Sequence, residues 1–360
     1  MLVLKSALPT TSKENLVSFA RRNNKNRGRR VGWRWLTGFL LAAVGLLIIA
    51  FAFWNNGSNA WSQRTAESRH KLADIPINGE RAYGYLKEIC AIGPRVSGTD
   101  GMQKQQAFLK EHFEKLGGRV TMQQFKPHHP LTGGPVPMAN MIVEWHPEKK
   151  ERILLCCHYD TRPFPDQDPV NPKGVFVGAN DGASGAALMC ELAHEMPKLK
   201  SRYGVDFVLF DGEELVYREG DPYFLGSEHF SREYVSNPPP HKYKCGVLVD
   251  MIADAQLAIF REVNSMRTVP TRQLTGDIWG VARDLGVREF IAVTRYEVRD
   301  DHLALNDIAR IPTIDIIDFE YPRSRGPNYW HTTQDVPENC SPLSLAKVGW
   351  VLKTWLERVK

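Results

Sequence analysis

Cysteine pairs at the close spacing of a zinc ribbon are missing from this chain. Its six cysteines (Cys90, Cys156, Cys157, Cys190, Cys245 and Cys340) are scattered, and three of them lie in strand-like apolar runs. Their placement points to buried free thiols and demands no disulfide framework. Internal repeats are lacking as well, and no second apolar core is visible. Net positive charge is confined to the N-terminus. Residues 1–34 hold nine Lys or Arg and one Glu, so the formal net charge of +5 conceals a body of about −3. A mildly acidic body argues against nucleic acid as a partner. The hydrophobic fraction of 42% is ample for a core.

One long stretch lacks charge altogether, from Leu36 to Trp54. About 20 apolar residues suffice to span a bilayer as a helix. Trp33, Trp35 and Trp54 bracket the run at interfacial depth, and Arg21, Arg22, Lys25, Arg27, Arg29, Arg30 and Arg34 precede it. A cleaved signal peptide would have a shorter apolar region, and Ser58-Asn-Ala60 is a poor cleavage site. The expected organisation is therefore a basic cytosolic tail (1–34), a transmembrane anchor (35–54), a polar linker (55–77) and one globular domain (78–360). The domain would lie outside the cytosol, in a periplasmic, extracellular or lumenal space.

Within the domain, short and nearly continuous apolar runs at Arg152–Cys157, Val205–Phe210, Cys245–Asp250 and Pro312–Asp318 suit strands covered on both faces. Helical spacing separates them, as in Gln103–Leu116, Ala183–Met196, Gln273–Leu285 and Leu343–Val359. This alternation implies an α/β fold of three layers, α/β/α, with a mostly parallel central sheet.

Chemistry concentrates at the ends of these runs. Glu213 and Glu214 follow an apolar strand and a Gly turn, where an open α/β sheet places its active site. Adjacent side chains point in different directions, so one carboxylate can hold a metal while its neighbour carries protons. Asp181 stands at a strand-to-helix junction between Gly178 and Gly182; taken alone it would be a helix cap. His331 alone would be an ordinary surface histidine. Together Asp181, Glu214 and His331 supply a ligand set suited to zinc at an open site.

With Gly93-Pro-Arg, His158-Tyr-Asp, Gly178-Ala-Asn-Asp-Gly-Ala-Ser-Gly and Phe210-Asp-Gly-Glu-Glu, the chain resembles the zinc exopeptidases of the aminopeptidase type. Trp330-His331-Thr332 and Asp300-Asp301-His302 are similar to their glutaminyl-peptide cyclotransferase branch. The resemblance implies Asp181, Glu214 and His331 as ligands of one zinc ion and Glu213 as general acid/base. It further implies Asp250 and Asp300 as a hydrogen-bonded carboxylate pair and Trp330 as a wall of the substrate pocket. The substrates would be peptide or protein N-termini bearing Gln and, more slowly, Glu. Dinuclear aminopeptidases bind a second zinc through residues matching His158 and Asp250, so aminopeptidase chemistry is the alternative. Two departures stand out. Animal cyclases carry an aromatic shortly after the Glu-Glu pair, where this chain offers only Tyr217. Their cysteine before His-Tyr-Asp pairs with one in the next helix, where Cys157 would meet Ala186.

Protease added outside spheroplasts should digest the catalytic domain, because the arginine cluster holds the N-terminus in the cytosol. Protection of the domain, or a mature N-terminus near Trp61, would refute an uncleaved anchor.

Overall fold

The computed structural model describes residues 68–323 and 328–360. The expected span 35–54 and its basic flank lie outside these residues. No helix among the described residues is long and apolar enough to cross a membrane. Helices α1 (Gly79–Ala91) and α2 (Asp100–Lys115) precede strands β1 (Arg119–Phe125) and β2 (Met138–Trp145). Then follow β3 (Glu151–His158), α3 (Ala183–Ala193), β4 (Gly204–Phe210), α4 (Leu225–Ser236) and β5 (Lys242–Asp250). The chain continues through β6 (Ile259–Arg261), α5 (Val269–Leu285), β7 (Phe290–Thr294), α6 (His302–Asp307), β8 (Thr313–Ile317) and α7 (Pro342–Arg358). Asn78, Thr99, Thr268 and Ser341 cap α1, α2, α5 and α7 by accepting bonds from backbone amides of the first turn.

Six strands form the main sheet in the order β1-β2-β4-β3-β5-β8. The pairs β3/β4, β3/β5 and β5/β8 are parallel, whereas β2 runs antiparallel to both neighbours. The parallel centre is the part the apolar runs foretell. β1 (Arg-Val-Thr-Met-Gln-Gln-Phe) escapes such a reading because it is an edge strand with little buried surface. Strands β6 and β7 form a separate parallel pair.

Alternate residues of each central strand face opposite ways, so the sheet has a core on each side. Ile153, Leu155 and Cys157 join the larger core with α1, α2, α3 and α7, while Leu154 and Cys156 join a smaller one with Phe230 of α4 and Leu305 of α6. Three layers result. Ile75 and Ile77, at the end of the stretch expected as linker, already belong to the larger core. The six cysteines are free and buried. A Cβ on Gly185 of α3 would stand 2.6 Å from the Cβ of Cys157, and the Cys157 thiol packs 3.9 Å from the sulfur of Met189. Glycine at 185 lets the helix lie directly on the strand.

This winding positions the site. From β3 the chain crosses over one face through α3 to β4, then over the other face through α4 to β5, on the far side of β3. The strand order thus reverses at β3, and a crevice opens at the carboxyl ends of β3, β4 and β5.

At the opposite end of β3, Arg152 and Asp206 form an ion pair with no exposure on either side chain. Arg152 also donates to the carbonyls of Trp145, His146 and Val205, and Tyr243 donates to Asp206 at 2.6 Å. Asp206→Ala would leave a buried guanidinium without its charge partner. We expect a loss of about 3–5 kcal/mol, read by urea unfolding of the purified domain; a loss below about 1 kcal/mol would show that solvent reaches the pair.

Candidate metal centre

Every chemically suspect residue comes to that crevice. Asp181 precedes α3, Glu213 and Glu214 follow β4, Asp250 ends β5, Asp300 precedes α6, and His331 arrives on the loop before α7. Asp181, Glu214 and His331 are all buried, and ligand atoms from the three lie within 4.8 Å of one another. His331 Nε2 stands 3.4 Å from Asp181 Oδ2 and 3.3 Å from Glu214 Oε1. Ligand atoms held tetrahedrally around zinc at about 2.0–2.1 Å are themselves about 3.3 Å apart. Asp181 Oδ2 and His331 Nε2 are buried with no hydrogen-bond partner, a cost that an ion would relieve. The residues therefore fit zinc.

Asp181 does not cap its helix. Gly182 occupies the N-cap with φ of 91° and no side chain bonds there, which disposes of the structural reading of this aspartate. Its backbone is fixed instead by Asp335, whose carboxylate accepts from the amides of Asn180 (2.7 Å) and Asp181 (3.1 Å). Arg95 is fully buried and donates to the carbonyls of Val177 and Gly178, holding the same turn from the other side. Asp160 accepts from the amides of Glu213 (3.2 Å) and Glu214 (3.0 Å), so one carboxylate sets the backbone of both glutamates.

A second layer of contacts orients the ligands. Arg162 Nη1 donates to Glu214 Oε2 at 3.0 Å, and its other nitrogens donate to Asp166 at 2.9 Å. Asp166 lies 3.3 Å from His331 Nδ1. Against the effect of burial, His331 and Arg162 hold the Asp166 carboxyl down at about 2. Trp330 stacks on the His331 ring with centroids 3.8 Å apart. His331 itself has φ of 54°, a left-handed conformation that is rare outside glycine and marks constrained sites.

Behind the ligands the acids are crowded. Burial pushes Glu213 well above the usual carboxylate range, and the Glu214 charge adds to it. Burial likewise raises Asp250 and Asp300, the latter further through the Asp250 charge. Such groups share protons rather than ionise independently. His158 Nε2 is 3.1 Å from Asp181 and 3.2 Å from Asp250, which makes His158, Asp181 and Asp250 a second possible metal group.

A pocket of about 310 Å³ opens onto Glu213, Asp250, Asp300 and the ligands, and Trp330 is among the residues that line it. Its other aromatics, Tyr223, Phe224 and Phe319, were not foreseen. Tyr217 lies elsewhere, packed with Val136, Met138 and Leu215 and against His129. Arg162 was also missed. It stands two residues beyond His158-Tyr-Asp160, but nothing local ties it to Glu214.

The sequence profile of peptidase family M28 matches residues 140–356. The glutaminyl cyclase of Fimbriiglobus ruber is 41% identical in a structural match covering 81% of this chain and 98% of that one, with a TM-score of 0.74. A Zn-dependent exopeptidase from Parabacteroides distasonis superposes with a TM-score of 0.72 at 28% identity, over 79% and 99% of the two chains. The glutaminyl-peptide cyclotransferase of Bos taurus is 27% identical over 88% of this chain and 94% of its own.

His331→Ala should remove most bound zinc, because two carboxylates alone make a poor site. Elemental analysis of the purified protein reads this directly, and full metal content in the variant would sink the ligand assignment.

Proposed function

The chain belongs to peptidase family M28, in its glutaminyl cyclase branch, and from that premise we propose how this site converts an N-terminal glutamine to pyroglutamate with release of ammonia. The observation that carries the reading is Glu213. It is a buried carboxylate outside the ligand trio that shares a pocket with it. Substrates are peptides or proteins with N-terminal Gln and, more slowly, Glu.

Asp181, Glu214 and His331 would hold one zinc ion, which would supply Lewis-acid polarisation of the side-chain amide carbonyl. Val298, Ile317, Phe319 and Trp330 line the pocket and enclose the glutamine side chain. Glu213, with its raised pKa, takes a proton from the substrate α-amine as that nitrogen attacks the carbonyl carbon of the side-chain amide, Cδ. The C–N bond to the amide nitrogen then breaks, and Glu213 returns the proton to the departing ammonia. Asp250 and Asp300 keep a shared proton beside Glu213 and hold the amine in line. The nucleophile belongs to the substrate, so the pocket loses nothing by excluding water.

One observation favours a second reading. His158, Asp181 and Asp250 also converge, as a second metal ion in an aminopeptidase would require. Trp330 and Asp300 in the pocket favour the single-ion cyclase. We further place the domain across a membrane from residues 1–34, tethered through residues 35–54, on the charge pattern of that segment.

Glu213→Gln should keep its zinc and lose about 10²–10⁴-fold in turnover. The parent enzyme should release ammonia from Gln-peptides, leave their N-termini blocked, and free little amino acid from Leu-peptides. Rapid Leu release without pyroglutamate, with close to two metals per chain, would establish the aminopeptidase reading instead.

A further inference from the structure

Beyond the pocket, a groove of about 750 Å³ lies between α5 and the β6–β7 pair. Arginines 261, 283, 288, 295 and 323 line it, and no Asp or Glu does. Glu320 neutralises Arg295 at 2.6 Å. Arg261, Arg288 and Arg323 make no ion pair among the described residues, and the Nε of Arg261 is buried without a partner. Trp279 and Phe290 contribute an apolar floor. A concave, low-dielectric surface with uncompensated charge of one sign concentrates ligands of the other. On a body whose net charge is slightly negative, this groove is a local exception.

A continuous path joins it to the pocket. Trp330 meets Phe319 with centroids 5.4 Å apart, Phe319 meets Tyr296 at 5.8 Å, and Tyr296 meets Phe260 at 6.1 Å. The Arg295 guanidinium sits over the Phe260 ring at 5.0 Å, inside the groove. At the near end Arg299 lines the pocket itself, with no ion pair among the described residues. Arg299 and Arg295 are four residues apart in the chain, a separation of at most about 13 Å at roughly 3.3 Å per extended residue. An extended substrate leaving the pocket would reach the groove about four residues after its first.

We propose that this track is an exosite that selects peptide substrates carrying acidic residues some four to six positions after the N-terminal glutamine. The inference rests on the cyclase reading for what fills the pocket. Arginine suits the task because its planar fork grips carboxylates in pairs, and the aromatic floor strengthens each contact by excluding water. Steering by such a track acts on substrate capture and leaves the proton transfers at Glu213 untouched, so KM should move and kcat should not.

The test uses the full-length chain in neutral detergent and three amidated peptides. Each begins Gln-Ala-Ala-Ala and ends in three Asp, three Ala or three Lys. At low salt the Asp peptide should show kcat/KM about tenfold above the Ala peptide, as two or three partly exposed ion pairs would give, with the Lys peptide below both. Raising salt to about 1 M should flatten the series. The double variant Arg261→Ala, Arg288→Ala should abolish the preference at low salt and turn over the Ala peptide normally, while the corresponding Lys double variant should retain it. Equal kcat/KM for the three tails, or a preference that survives in the Ala double variant, would overturn the exosite. So would a thermal shift with short-chain phosphatidylglycerol through the same arginines alongside indifference to tails, which would assign the groove to phosphate headgroups. Absence of pyroglutamate from the Ala peptide would instead indict the cyclase reading, a separate result.

Discussion

Negative charge packed out of water at the carboxyl rim of the sheet is the constraint around which the rest is arranged. Asp160, Asp181, Glu213, Glu214, Asp300 and Asp301 are all buried there, and Asp250 is nearly so. Left alone, such a group would cost several kcal/mol per ion or would protonate. The structure answers with three devices. Backbone amides face Asp160, Arg162 faces Glu214, and the two imidazoles of His158 and His331 stand among the carboxylates. Asp181 Oδ2 and His331 Nε2 are left without a hydrogen-bond partner, in a trio with Glu214 whose ligand atoms are close enough to hold a divalent cation. Metal affinity and folding stability are accordingly drawn from the same source.

The same crowding explains the division of labour between two adjacent glutamates. Glu214 faces His331 and Arg162, and these partners hold its carboxyl down in spite of burial. Glu213 has neither partner, and burial drives it up. One environment favours the ionised carboxylate that ligation needs, the other favours the protonated form. A single step along the backbone, turned at Gly212, is enough to separate the two environments.

The parallel strands were legible because residues covered on both faces must be apolar throughout, a pattern that needs no knowledge of the neighbours. Glu213 and Glu214 stood out for a different reason: they follow such a run just past Gly212, which lets the backbone turn, whereas His331 sits on a loop and was marked only by its Trp330-His331-Thr332 context. β1 was not legible, since an edge strand with a solvated face reads like any polar stretch. The pocket aromatics Tyr223, Phe224 and Phe319 were hidden because their direction is set by loops, Phe224 adopting φ of 61° at the start of α4. Asp181 shows the limit from the other side. Its sequence context suits a helix cap equally well, and only the observed N-cap at Gly182 decides the matter.

The six buried thiols carry a consequence for how the protein matures. Each is sealed in apolar packing, and burial lifts the thiols of Cys90 and Cys245 to about 12 and that of Cys157 well above its usual value, far from the reactive thiolate. Neither oxidant nor reductant finds a foothold there. The domain can therefore reach its native state without an oxidising compartment or a disulfide isomerase, and a change in ambient redox potential leaves its architecture indifferent. Its dependence on the environment runs through metal supply instead.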